Sequence, residues 1–280
     1  MINCPCPKKK DSSPAWNYKE FKIFKCNACG LEFTHPFVQG KVEYYKQHEI
    51  YNINKKNVND SLPPKSIIES IISTTKIHSK SRLKILDYGC GFGGYSVVLK
   101  DLGHDVLSSD FNPSIVSFIK ENYGLNSTTE SYSDLKRKGL SFDLIILNQV
   151  LEHVDLLNEL LIGLQNLLNK EGLLFISVPN KDYFKGVVSN KTLPSANYPP
   201  HHISFWSENS LKNILFTNGF ELIYVKADKW PHEQDIYNKL SFIKPLILRS
   251  VITKLINIPM KVFMIKGPHL LALAKKNKYL

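Results

Sequence analysis

The chain has 280 residues, 43% of them hydrophobic and 22% charged, with 14 glycines and 15 prolines, a composition that excludes a disordered or fibrous chain. No run of about 18 uncharged apolar residues exists to span a bilayer, and Met1 to Lys10 lacks the apolar stretch of a secretory signal, so the expectation is a cytoplasmic protein. Thirty-six Lys plus Arg against 25 Asp plus Glu give +11, an excess that attracts phosphates, nucleic acid or an anionic membrane surface, although the basic runs are as short as Lys8–Lys10 and Lys275–Lys276.

Four of the five cysteines lie in the first 29 residues, as Cys4-Pro-Cys6 and Cys26-Asn-Ala-Cys29-Gly30. In a reducing compartment such pairs bind metal more often than they form disulfides, because thiolates take zinc tetrahedrally. The second pair has the form of a knuckle, in which Gly30 lets the backbone turn its amides toward the sulfurs. The first pair has one spacer residue where zinc ribbons usually have two. Residues 1–40 are therefore expected to form a zinc-knuckle-like segment with a structural zinc on Cys4, Cys6, Cys26 and Cys29; two unrelated cysteine pairs are the alternative.

Residues 41–80 read as a linker and a helix. The polar stretch Tyr44 to Lys65 ends in Pro63-Pro64, and Ile67, Ile68, Ile71 and Ile72 then share one apolar face over Ser66 to Ile77. Residues 81–280 change character. Leu83–Tyr88, Asp105–Ser109, Phe142–Leu147 and Leu173–Val178 are short β-prone runs, separated by helix-like stretches at Tyr95–Leu102, Pro113–Asn122 and Leu156–Leu168. Alternation of this kind implies right-handed crossovers and a doubly wound, mostly parallel α/β sheet. Ser207–Asn218 reads as a helix capped by Ser207 with Gly219 beyond its end, and Phe220–Lys226 and Leu270–Lys275 as two late strands. Between them, at about 235–264, apolar residues interrupted by Lys239, Lys244, Arg249, Lys254 and Lys261 predict a basic amphipathic insertion, which covers the sheet or contacts a membrane surface or partner.

Chemistry is concentrated in Ile85-Leu86-Asp87-Tyr88-Gly89-Cys90-Gly91-Phe92-Gly93-Gly94, a buried strand ending in an acid, then a glycine-rich turn, then a helix. Gly89 and Gly91 remove the side chains that would keep a ligand from the backbone. Asp87 would repel a pyrophosphate but suits an ammonium group. Asp110, about 20 residues on at the next strand end, is placed to accept hydrogen bonds from ribose hydroxyls, and Phe111 offers a face for an adenine. Asp110 could equally cap the helix that starts near Pro113.

These residues resemble a family. Asp-Tyr-Gly-Cys-Gly-Phe-Gly-Gly, the strand ending at Asp110, Phe142-Asp143-Leu144-Ile145, Val150-Leu151-Glu152-His153-Val154 and Gly172-Leu173-Leu174 look like the successive motifs of the class I S-adenosylmethionine-dependent methyltransferases. Pro200-His201-His202-Ile203-Ser204-Phe205-Trp206-Ser207 is similar to a later segment of a small-molecule branch that includes enzymes of quinone and polysaccharide biosynthesis. Cys-x-x-Cys-Gly-Leu-x-Phe resembles a knuckle that polysaccharide-cluster members carry ahead of the same domain. The resemblance implies a seven-stranded Rossmann-like sheet and S-adenosylmethionine as cofactor. Asp87, Gly89, Cys90 and Gly91 would line its methionine part, Asp110 and Phe111 its ribose and adenine, Ser131–Asp134 the adenine border, and Asn148 the region of the sulfonium. Glu152, His153, His201 and His202 are the catalytic candidates: His153 or His202 as general base or, by similarity to small-RNA 2′-O-methyltransferases, Glu152, His153 and His202 as Mg(II) ligands with Gln149 in place of one acid and His201 as a neighbouring base or substrate contact; a pair Glu152–His153 that only orders the following helix is the alternative. The implied acceptor is a hydroxyl of a small molecule or activated sugar in surface polysaccharide synthesis; RNA methylation and a catalytically silent binding subunit are the alternatives.

Overall fold

The computed structural model describes residues 2–6, 11–38, 62–63, 65–74, 82–183, 197–229 and 266–277. In chain order the elements are β1 (Ser12–Tyr18), β2 (Phe21–Cys26), β3 (Glu32–His35), α1 (Lys65–Thr74), β4 (Lys84–Tyr88), α2 (Gly94–Asp101), β5 (Asp105–Ser109), α3 (Pro113–Tyr123), β6 (Asn126–Thr128), α4 (Tyr132–Arg137), β7 (Phe142–Asn148), a 3-10 turn (Leu151–His153), α5 (Leu157–Gln165), β8 (Leu168–Pro179), β9 (Ser204–Phe205), α6 (Glu208–Thr217), β10 (Phe220–Lys229) and β11 (Lys266–Lys276). The expected basic insertion at 235–264 and most of the expected linker lie outside the described residues.

Seven strands form one sheet in the order β10-β11-β8-β7-β4-β5-β6. The β7–β8, β4–β7, β4–β5 and β5–β6 pairs are parallel, and β11 runs antiparallel to both β8 and β10. Central parallel strands are covered on both faces, which explains their unbroken apolar runs. Alternate residues of one strand enter opposite cores. Ile145 and Leu147 of β7 pack with α5 and α6, whereas Leu144 and Ile146 pack with Ile68 and Ile71 of α1 and Leu99 of α2.

The helix ends follow local chemistry. Asn112 caps α3 by accepting from the Ser114 amide, Pro113 occupies its first turn, and Gly124 closes it at φ 58°. Ser207 caps α6 in a box with Ser210. The expected helix over Leu156–Leu168 ends earlier, at Gln165, because Leu168 pairs with Phe142 and opens β8.

A second sheet, β1-β2-β3-β9, joins the start of the chain to residues far along it. Its last strand pairs Glu32 with Phe205 and Phe33 with Ser204. The four N-terminal cysteines share one core with Phe33, Leu151, Leu161 and Leu211, so this sheet is packed onto α5 and α6. The Asn158 amide donates to the Pro5 carbonyl at 2.7 Å and that of Asn213 to the Cys29 carbonyl at 3.2 Å.

Candidate functional site

Chain order reverses between β4 and β7, so the loops after these two strands flank a crevice at their carboxyl ends, where open α/β sheets bind ligands. Asp87, 2% exposed, accepts a 2.7 Å bond from the Ser96 hydroxyl, which in turn accepts one from Ser108. Burial pushes its carboxyl up to about 6 against the opposing Ser96 bond. A nearby cation would bring that value down. The glycine loop is tied to the end of β5, since the Gly89 and Cys90 amides both donate to the Ser109 carbonyl, at 2.7 and 3.0 Å.

Asp110 holds the same loop from the other side. One oxygen accepts from the Gly91 amide at 3.1 Å and the other from the Asn112 amide at 2.9 Å, while burial raises its carboxyl above the ordinary range. A carboxylate has about four acceptor positions, so capacity remains for ligand hydroxyls. The Asn112 bond gives Asp110 the alternative role at the entry to α3, and the Gly91 bond ties it to the glycine loop, a contact the sequence does not announce.

Two glycines of the loop differ in what surrounds them. A Cβ on Gly89 (φ +74°) would stand 2.6 Å from Val150 Cγ2, so this glycine serves the contact between the β4 and β7 loops. A Cβ on Gly91 (φ +50°) would meet nothing within 4 Å. The open space is beside Gly91, whose amide is held by the buried Asp110, while the buried Asp87 precedes the loop at the end of β4. Phe111 is 46% exposed next to Asp110. Cys90 is half-buried, its thiol held well above the usual range by burial and then by Asp87 and Asp110, which disfavours the thiolate. Ser131 and Asp134 form the capping box of α4.

Asn148 ends β7 opposite Ser177 of β8. Gln149 follows at φ +56°, and its side-chain amide donates to the Ser177 hydroxyl at 3.1 Å. The imidazoles of His153, His201 and His202 converge, with one ring nitrogen from each within 4.8 Å of the others. His153 Nδ1 donates to the His201 carbonyl at 2.7 Å, which fixes the tautomer and leaves the Nε2 lone pair as the acceptor. Burial pulls the His153 ring down to about 4, and burial with the two neighbouring rings holds His202 well below its ordinary range. All three are adjacent to a segment fixed between two elements: the Ile203 amide donates to the Glu152 carbonyl at 2.8 Å, and the Ile203 carbonyl accepts from the Thr34 amide at 2.9 Å.

The Glu152 carboxyl stands outside this histidine group. It is 0% exposed, neither oxygen has a hydrogen-bond partner among the described residues, and burial pushes it up to about 8. The sign follows directly. The folded chain binds this proton more tightly than the unfolded chain, so its contribution to stability is present in acid and declines as pH rises from about 4.5 through about 8. Urea midpoints measured from pH 5.5 to 8.5 are expected to fall relative to those of Glu152→Gln, by a few kcal/mol in unfolding free energy; parallel curves would show that the carboxyl is charged and partnered.

At the other end of the second sheet, the four cysteine sulfurs all lie within 4.8 Å of one another, every one buried. Cys4 Sγ is 3.6 Å from Cys29 Sγ, and Cys6 Sγ is 4.0 Å from Cys26 Sγ. A tetrahedral zinc with bonds of about 2.3 Å has sulfur–sulfur edges near 3.8 Å. The Ala28 and Cys29 amides point at Cys26 Sγ, both at 3.4 Å, and the Cys6 amide at Cys4 Sγ at 3.3 Å. The short Cys4-x-Cys6 spacing is thus accommodated.

Comparison with known proteins agrees with this architecture. A solved S-adenosylmethionine-dependent methyltransferase from Archaeoglobus fulgidus shares the fold, with a TM-score of 0.50 at 20% identity over 76% of this chain and 95% of that one. The architecture is that of the class I methyltransferases. The family model described as a methyltransferase domain matches residues 63–225, and the chain belongs to that family. Similar relatives include the mitochondrial ubiquinone biosynthesis O-methyltransferase of Saccharomyces cerevisiae, 28% identical over 233 residues, 73% of this chain and 72% of the relative. Another is the ubiquinone biosynthesis O-methyltransferase of Rickettsia typhi, 29% identical over 131 residues, 43% of this chain; the chain spans 53% of that enzyme's length.

Proposed function

We propose that the chain transfers the methyl group of S-adenosylmethionine to a hydroxyl of a small molecule. The observation that carries the reading is the open space beside Gly91, in the loop that Asp87 precedes and Asp110 holds, at a switch point whose neighbouring strand leads to three converging histidines. When bound, the cofactor supplies a methyl carbon activated on a sulfonium. Asp87 would take the ammonium group, Gly91 would leave room for the methionine part while Gly89 keeps the β4 and β7 loops in contact, Asp110 would accept from the ribose, Phe111 would offer its face to the adenine, and Asn148 would border the transfer region. His153, with its Nε2 lone pair available by tautomer, or its neighbour His202 accepts the hydroxyl proton, and His201 fixes the His153 ring through its carbonyl.

A second reading is favoured by the donor set itself. Three neutral imidazoles within 4.8 Å suit a borderline divalent ion better than Mg(II), which prefers oxygen ligands. Such an ion would lower the pKa of the acceptor hydroxyl. The cysteine group fits a structural zinc, and we include one on Cys4, Cys6, Cys26 and Cys29.

The relatives' names favour a hydroxyl acceptor of ubiquinone biosynthesis, and the knuckle resemblance an activated sugar. The test is radiolabelled methyl transfer to a hydroxylated ubiquinone precursor and to a nucleoside-diphosphate sugar, with and without chelator. Transfer to either hydroxyl, lost in His153→Ala/His202→Ala by about a hundredfold or more, supports the reading. Loss on chelation with retained cofactor binding selects the metal-assisted form. Undiminished transfer by the double variant would reject both roles for the histidines. Among the described residues no helix is long and apolar enough to cross a membrane.

A further inference from the structure

The acceptor-side histidines are joined to the second sheet by an aromatic contact that the catalytic reading leaves unused. The carbonyl of Tyr198 accepts from the amides of both His201 and His202, at 3.0 and 3.2 Å. The Tyr198 ring is stacked on Tyr18 at the end of β1, with centroids 4.0 Å apart and planes 3° from parallel. Trp16 meets it edge-on at 6.4 Å and also packs against Phe205 of β9 at 5.0 Å. Trp16 is itself fixed, because its indole N–H donates to Glu32 at 3.0 Å and the other Glu32 oxygen pairs with Lys181 at 2.7 Å. Glu32 is 3% exposed and pairs with Phe205 across the β3–β9 ladder.

We propose that Tyr18 and Trp16 are positioning residues for His201 and His202, acting through Tyr198, so that the second sheet builds part of the acceptor site. The proposal rests on the reading that those histidines serve the acceptor. Three connections converge on one short segment: aromatic stacking at Tyr198, the Thr34–Ile203 bond, and the β3–β9 pairing. Each originates in residues 16–34. Aromatic pairs of this geometry contribute beyond their buried area, and a two-residue strand has too few ladder bonds to fix itself. None of the three connections includes the glycine loop or Asp110. Acceptor geometry and cofactor binding therefore have separate supports.

The test uses the whole 280-residue chain, and its exchange and resonance readouts do not need the acceptor. Tyr18→Ala is expected to speed amide exchange at residues 201–203 tenfold or more and to shift the His153 ring-nitrogen resonances in a nitrogen-15 spectrum, because its Nδ1 partner is the His201 carbonyl. Affinity for S-adenosylhomocysteine should stay within twofold. Tyr18→Phe, which keeps the stacking ring, should restore both signals, and Trp16→Ala should reproduce the change. Unchanged exchange and ring resonances in Tyr18→Ala would overturn the proposal. So would equal acceleration at residues 85–110 with lost nucleotide affinity, which marks a general loss of fold. Displaced histidine signals with undiminished methyl transfer would support positioning while rejecting the catalytic reading of the histidines.

Discussion

Replacement of Asp110 by alanine is expected to weaken S-adenosylmethionine binding by about 1.5–3 kcal/mol, the range for hydrogen bonds to a charged group, or about ten- to 150-fold. Its carboxylate has two jobs at once. It would accept from the ribose, and it already holds the Gly91 and Asn112 amides. Losing the latter loosens the loop even before ligand arrives, so the unliganded variant should also melt lower. Calorimetric titration separates the effects, because added ligand should stabilise the variant less than the parent at every concentration. A loss below about threefold in affinity would move the ribose elsewhere and leave Asp110 as a loop and helix-entry residue alone.

The second large effect belongs to the cysteines. Elemental analysis is expected to find a zinc at this site, and Cys29→Ser should release it while lowering stability by more than about 4 kcal/mol, as loss of a structural metal does. The hydrogen bond to Cys29, then that to Cys6 and burial, push the Cys4 thiol far above its usual range, and a cation held among the sulfurs would bring it down. Their core is shared with Leu151, Leu161 and Leu211, and the destabilisation should therefore reach α5 and α6 as well as the N-terminal strands. Metal-free protein with all five thiols titratable would reject the site.

Much of the seven-stranded sheet was legible because its central strands are continuous apolar runs bounded by turn residues. Asp105–Ser109 and Pro113 were placed at their observed positions for that reason. β6 was not, because Asn126-Ser127-Thr128 has no apolar alternation and is a strand only by pairing with Leu107–Ser109. β1 hides similarly: Pro14 stands beside a register irregularity, and most of its residues face outward. β9 is two residues whose partner lies some 170 positions earlier, a distance over which local pattern has no signal.

The candidate site divides along the same line. The glycine loop and Asp110 are contiguous motifs whose chemistry is written in residue type. The convergence of His201 and His202 with His153 depends on the 3-10 turn and on β3, and the separation of Glu152 from that group depends on which way one buried carboxyl turns. Adjacent residues in sequence suggested a shared Glu152–His153 role; successive side chains of a tight turn point in different directions. The missed residues, Tyr18, Trp16 and Tyr198, carried no motif, and only the folded contact gives them a role.

The most direct test of the central claim is titration of S-adenosylmethionine into the whole 280-residue chain by calorimetry, with the thermal midpoint followed in parallel. The account predicts one site per chain, a rise in the midpoint with ligand concentration, and proton release on binding between about pH 5 and 6.5, as the ligand's ammonium lowers the raised Asp87 carboxyl from about 6. No binding heat and no midpoint shift at millimolar ligand would contradict it.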